Sequence, residues 1–218
     1  PFMTARKVKK TGVFVITADR GLCGSYNTNI LSAADKFLKN YSQDAVELIL
    51  MGRKAIDHYR NKQWRIRHKA FEDGEKQDIP KVQAFVQQLS DWFIKGELDE
   101  IWIIYTHFVN IISRKVIVEK FLNISEPAKG KPAINYIYEP SAEAIFNEIM
   151  PRFLVGKLHS ALDEAYASEL AARIISMRTA TKNADEMIYS LTLTRNKVRQ
   201  ASITKEMLEI ISGAEGLK

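Results

Sequence analysis

The sequence predicts an α/β fold in two parts, a small layered domain over residues 1–139 followed by one long helix over 140–218. Two observations carry this. Up to about Tyr138, short apolar runs rich in β-branched residues alternate with stretches of helical periodicity. From Ser141 to Ile211 there is then a single proline, Pro151, and a single glycine, Gly156, so little punctuates a helix.

The elements follow in order. Gly12–Ala18 (GVFVITA) is short, β-branched and bounded by turn residues, as a buried strand is. Asn27–Tyr41 places Ile30, Ala33/Ala34, Phe37 and Leu38 on one helical face. VELILMG is a second strand, stopped at Gly52, and Arg53–Lys62 is a helix with Ile56 and Tyr59 inward. RIRHKAF alternates weakly as a third strand. Val82, Phe85, Val86, Leu89, Trp92 and Phe93 recur at three- and four-residue spacing and mark the next helix. IWIIYTHF and SRKVIVEKF are two strands of an antiparallel hairpin turning around residues 109–112, and AINYIYEP is a last strand. Alternation of this kind makes a small Rossmann-like layered domain. Beyond it, Ser141 is the expected N-cap of the long helix, with Glu143 in its first turn and Gly213 as its stop. Such a helix reaches on the order of 100 Å at 1.5 Å per residue. Pro151 deletes one backbone donor and is expected to kink or divide it.

Composition excludes several classes. Of 218 residues, 46% are hydrophobic and 27% charged, an ordinary globular balance. No run approaches the roughly 18 apolar residues of a membrane-spanning helix. Cys23 is the only cysteine, so no internal disulfide forms, which favours a reducing compartment. The histidines His58, His68, His107 and His159 are scattered without ligand spacing, and neither a metal site nor a cofactor is expected.

ITADRGLCGSYNTN (Ile16–Asn29) has the strand–glycine–helix order of a phosphate-binding turn. It lacks both the Lys-Ser/Thr of a P-loop and a full G-x-G-x-x-G turn, so the loop is structural. Gly21 and Gly24 permit a tight strand-to-helix turn, and Asn27 or Thr28 is the expected cap of the next helix. Asp19 and Arg20 either pair, with each other or a neighbouring chain, or stand in a solvated loop. Cys23 reads as a small packed side chain.

The long helix carries a seam. Steps of four and three from Leu170 meet Ile174, Met177, Thr181, Ala184, Ile188, Leu191, Arg195 and Val198, and seven of these nine positions are apolar. A helix in an ordinary bundle shows the same spacing. No second long helix is present in this sequence to supply the facing stripe, so the mate is expected from outside it.

Four stretches, in this order along the chain, carry a family resemblance. They are DRGLCG followed by Asn27, EPSAEAIFNEIMPRFL, SELAARIISMRTATKNADEMI, and the ending RNKVRQASITKEMLEIISGAEGL, with Ile203-Thr204, Glu206, Glu209 and Gly213-Ala214 at its core. Together they resemble the gamma subunit of F-type ATP synthases. The resemblance implies a rotor shaft with no catalytic residues of its own, set inside a ring of alpha and beta subunits. It implies a foot domain bound to the epsilon subunit and the membrane ring of c subunits. The chain would then be part of a hetero-oligomer, peripheral to the cytoplasmic face of a bacterial plasma membrane or, less so, the matrix side of the mitochondrial inner membrane. Family members carry a long N-terminal helix that winds antiparallel against the C-terminal one. It is absent from this sequence, and Pro1 falls about where it would hand over to the foot. The seam from Leu170 to Val198 is where that helix would pack as an antiparallel coiled coil. By carry-over, Arg199, Gln200, Thr204 and Glu206 match the positions that grip loops of the beta subunits. Ile203, Met207, Ile210 and Ile211 form an apolar stripe suited to a greasy sleeve in the ring, and Arg195, Lys197 and Arg199 set positive charge just below it. By itself that charge reads as a solvated helix face, and by the resemblance it suits acidic loops on beta subunits.

Two other classes compete. A nucleotide-dependent α/β enzyme needs a phosphate loop and a convergent acid–base set, and the sequence has neither. A nucleic-acid binder is suggested by the pI near 9.3 and net charge of +6, but 26 acidic residues are spread among 32 basic ones and no recognition motif occurs.

Overall fold

A computed structural model describes residues 8–70, 78–124 and 141–215. Within them lie five strands, β1 (Thr11–Ile16), β2 (Val46–Met51), β3 (Arg65–Ala70), β4 (Glu100–Phe108) and β5 (Arg114–Leu122), and four α-helices, α1 (Tyr26–Leu38), α2 (Arg53–Tyr59), α3 (Ile79–Ile94) and α4 (Ala142–Glu215). The expected strand AINYIYEP lies outside the described residues. The chain forms two compact units, Pro1–Ile174 and Ile175–Lys218.

In the first unit the strands make one sheet in the order β3-β2-β1-β4-β5. β1, β2, β3 and β4 pair in parallel, and β5 runs antiparallel to β4. β1 and β2 are buried at all six positions, as continuous apolar runs must be when both sheet faces are covered. Their side chains alternate between two cores. Val13, Val15, Leu48 and Leu50 pack with Ile30, Ala34 and Leu38 of α1 and Tyr59 of α2. Phe14, Ile16, Ile49 and Met51 face Phe85, Val86, Leu89 and Phe93 of α3 and the first turns of α4. Edge strand β3 is mostly unburied and carries Arg65, Arg67, His68 and Lys69, charges that discourage pairing with a further strand.

α4 contributes Met150, Leu154, Leu158, Ala161, Leu162 and Ala165 to the core. Ser141 caps it, its Oγ accepting from the Ala144 amide at 3.1 Å. The side chain of Glu143 lies outside the described residues. The helix continues through Pro151 without a break. It also continues through Gly213, which therefore does not stop it: with no atom near its Cβ position, nothing there forces the chain to turn.

Candidate functional site

The loop after β1 is a clasp on the next strand–helix unit. Gly52, between β2 and α2, has φ of +86°, and a Cβ there would lie 2.1 Å from the Thr17 carbonyl oxygen. That approach lets the Thr17 amide and hydroxyl donate to the Met51 carbonyl at 2.9 and 3.0 Å. The first three amides of α2 then find partners in the loop. Arg53 donates to Asp19 Oδ1 at 3.0 Å, Lys54 to the Ala18 carbonyl at 3.2 Å and Ala55 to Thr17 Oγ1 at 2.9 Å. Asp19 thus occupies the place a phosphate would take at a helix N-terminus. Arg20 is exposed.

The structure corrects two details of the loop. α1 begins at Tyr26 after Ser25, so Asn27 and Thr28 both lie inside the first turn and neither caps it; Asn27 has another role. Its Oδ1 instead accepts the Ala18 amide at 3.0 Å, and its Nδ2 donates to Cys23 Sγ at 3.2 Å. Of the two glycines, Gly24 takes a left-handed conformation (φ 59°), but the other left-handed residue is Leu22 (φ 63°) and not Gly21. Sequence marked Gly52 only as the stop of the second strand, and Thr17 was not singled out; nothing local shows that the two meet.

In a sheet of this order a ligand crevice opens at the carboxyl ends of β1 and β4, where the strand order reverses. α4 closes it. Ser168, fully buried, donates to the Thr106 carbonyl at the end of β4 at 3.1 Å, and Tyr26 OH donates to the Ala165 carbonyl at 3.0 Å. Burial pushes the Tyr26 phenol far above its ordinary range, with Glu169 adding to the shift, so it stays a donor. His107 pairs with Glu164 beside them, and Lys157 donates to the Lys120 carbonyl at 2.9 Å. Among the described residues no cluster of His, Cys, Asp and Glu could hold a metal ion.

The second unit has the opposite character. From Met177 to Glu215 no residue is buried. The seam residues Leu170, Ile174, Met177, Ala184, Ile188, Leu191 and Val198 are all exposed, Ile188 by 63% and Leu191 by 62%. So are Arg195, Arg199, Gln200, Ile203, Thr204, Glu206, Met207 and Ile210. At about 100° per residue these spread around the helix and converge on no pocket of their own. The Thr204 hydroxyl donates back to the Gln200 carbonyl at 2.9 Å. No helix among the described residues is long and apolar enough to cross a membrane.

A family model described as ATP synthase matches residues 1–217. The ATP synthase gamma chain of Protochlamydia amoebophila is 55% identical over 220 residues, which span 100% of this chain and 77% of that one. The chain belongs to the ATP synthase gamma family. The gamma chain of Moorella thermoacetica is 42% identical over 219 residues, again across 100% of this chain and 77% of its own length. Solved structures share the fold. A chain of the Euglena gracilis mitochondrial ATP synthase superposes with a TM-score of 0.69 at 22% identity, covering 96% of this chain and 73% of that chain. One from the Tetrahymena thermophila mitochondrial ATP synthase central stalk and c-ring superposes with a TM-score of 0.62 at 23% identity, covering 82% and 79%.

Proposed function

We propose that this chain is the central-stalk rotor of an F-type ATP synthase and does no bond chemistry itself. Proton-driven turning of the c-ring is passed through the foot domain and α4 to the catalytic beta subunits. The observation that carries this is the contrast within α4: core packing from Met150 to Ala172, and no buried residue from Met177 to Glu215 despite a row of large apolar side chains. Exposed apolar surface on this scale is the mark of an interface. The seam from Leu170 to Val198 takes an antiparallel helix, and the stripe Ile203, Met207, Ile210 and Ile211 turns in an apolar sleeve of the alpha/beta ring. The foot domain, residues 1–139, meets the epsilon subunit and the c-ring, and residues 140–218 make the shaft. The assembly sits at the cytoplasmic face of a bacterial plasma membrane.

In physical terms the shaft works by differential contact. A helix that touches one beta subunit in one orientation stabilises one of its conformations, and rotation moves that bias to the next subunit. Arg199 offers a planar fork of donors to carboxylates on beta loops, with Gln200 and Thr204 able to exchange neutral hydrogen bonds beside it and the Glu206 carboxylate accepting charge-assisted ones. A charge-assisted contact is worth about 1.5–3 kcal/mol when shielded and about 0–1 when exposed. Arg199→Ala in the assembled complex is expected to lower rotation-coupled ATP turnover more than Lys197→Ala, with the foot still folded. Equal, near-zero effects in a complete complex would remove these residues from the interface.

A further inference from the structure

Two of the nine seam positions are polar, Thr181 and Arg195, and they differ in how their hydrogen bonds are met. The Thr181 hydroxyl donates to the Met177 carbonyl at 3.0 Å, so it enters a closed seam already satisfied. Arg195 has five N–H donors and no such route. Its neighbours one turn away are Leu191, Thr192, Val198 and Arg199, none of them acidic. Between Glu186 and Glu206 the sequence has no acidic residue at all, whereas Arg195, Lys197, Arg199 and Lys205 all fall there. Lys205 pairs with Glu209, outside that span, at 3.7 Å. Arg195 and Arg199 stand four apart, a like-charge spacing that weakens a solitary helix.

We propose that Arg195 is the register pin of the seam and that the helix packing on it carries a carboxylate opposite Arg195. This rests on the proposal that the seam takes an antiparallel helix. A single charged residue among apolar core positions allows only those alignments that present it with a counter-charge, at some cost in stability. The apolar positions at Leu191 and Val198 on either side exclude water from it once the mate is docked, so a neutral or basic residue opposite would leave the guanidinium buried and unpaired. An anionic membrane or a nucleic-acid backbone fits less well. Lys197 lies about 200° around the helix from Arg195, so the cations do not form a single basic face.

The test uses designed antiparallel helical peptides of about five heptads with Leu and Ile at the core, differing only in Glu, Gln or Lys opposite Arg195. Fluorescence anisotropy reads their binding to the 218-residue chain. The Glu peptide is expected to bind about tenfold or more tighter than the Lys peptide. Arg195→Glu should invert the preference, and Arg195→Met should keep binding but erase the preference. Equal binding of Glu and Lys peptides to the unaltered chain overturns the pin alone. Failure of all three peptides to bind overturns the seam itself, as does tighter binding to vesicles of phosphatidylcholine and phosphatidylglycerol than to any peptide.

Discussion

The carboxylate of Asp19 accepts the backbone amide of Arg53 at 3.0 Å across 34 residues of sequence, tying the loop after β1 to the start of α2. An N-terminal cap that is also an anion at a helix N-terminus is worth about 1 kcal/mol. Asp19→Ala is expected to lower the unfolding free energy of the chain by about that amount in urea titrations. Asp19→Asn keeps an acceptor and should lose less, and Arg20→Ala, at an exposed site, should stay within about 0.5 kcal/mol. Asp19→Ala and Arg20→Ala unfolding alike would show that the cap contributes nothing.

Gly52→Ala should be the most damaging glycine change in the foot. It adds a Cβ at positive φ and 2.1 Å from a carbonyl oxygen that cannot retreat without breaking the clasp. A left-handed non-glycine costs about 1–3 kcal/mol before any clash, so a loss above about 3 kcal/mol is expected. Gly96→Ala has the positive φ but open space, and should cost only about 1 kcal/mol. Thermal melts of the two variants that coincide would contradict this.

The same clasp predicts that the chain binds neither MgATP nor MgADP. The α2 amides are engaged by Thr17, Ala18 and Asp19, and the crevice between β1 and β4 holds Tyr26, Ala165 and Ser168. Isothermal titration at physiological nucleotide concentration should give no saturable heat.

Acid lability of the foot should trace to Glu100. Burial alone raises its carboxyl pKa, but the Lys120 ammonium at 2.8 Å and the Thr11 hydroxyl at 3.1 Å hold it below the ordinary value. A folded-state pKa below the unfolded one means the unfolded chain binds more protons as pH falls. The contribution is therefore present above about pH 4.3 and is lost as pH drops through the folded-state value. Glu100→Gln should lower stability at neutral pH and flatten the decline between about pH 5 and 3. An unchanged slope in chemical denaturation across that range would shift the cause elsewhere.

At the seam, Ile188→Asp and Leu191→Asp should leave the melting of the chain alone unchanged, because both positions are exposed. With the mating helix docked, each buries an unpaired carboxylate and should cost several kcal/mol, about 2 or more. Destabilisation of the isolated chain would mean that these side chains are already packed.

The sheet was legible because β1 and β2 are unbroken apolar runs and α3 repeats Val82, Phe85, Val86, Leu89 and Phe93 at helical spacing. The long helix was legible from the lack of breakers after Ser141. Local signals misplaced the loop contacts, since Thr17 and Asp19 spend their hydrogen bonds on residues 34 to 38 positions away. Composition in the loop gives no sign of such partners. α4 posed a different difficulty. It carries two apolar faces, one through Leu154, Leu158, Ala161 and Ala165 and another through Leu170, Ile174 and Met177. A single heptad register drawn from Leu170 follows only the second. Tyr26 and Ser168 seal the crevice through carbonyls 139 and 62 residues away, partners that no local pattern in the sequence marks.

The seclusion of Cys23 has a practical corollary. It is the only thiol in the chain, it is 2% exposed, and its sulfur accepts from Asn27 while facing the Arg20 carbonyl. Maleimide reagents should pass it by while the foot is folded and modify it once the foot opens. A cysteine introduced anywhere along residues 177–215 can then carry a dye or a bead with the native sequence otherwise intact. The same reagent, added under denaturing stress, turns Cys23 into a clock for unfolding of the foot.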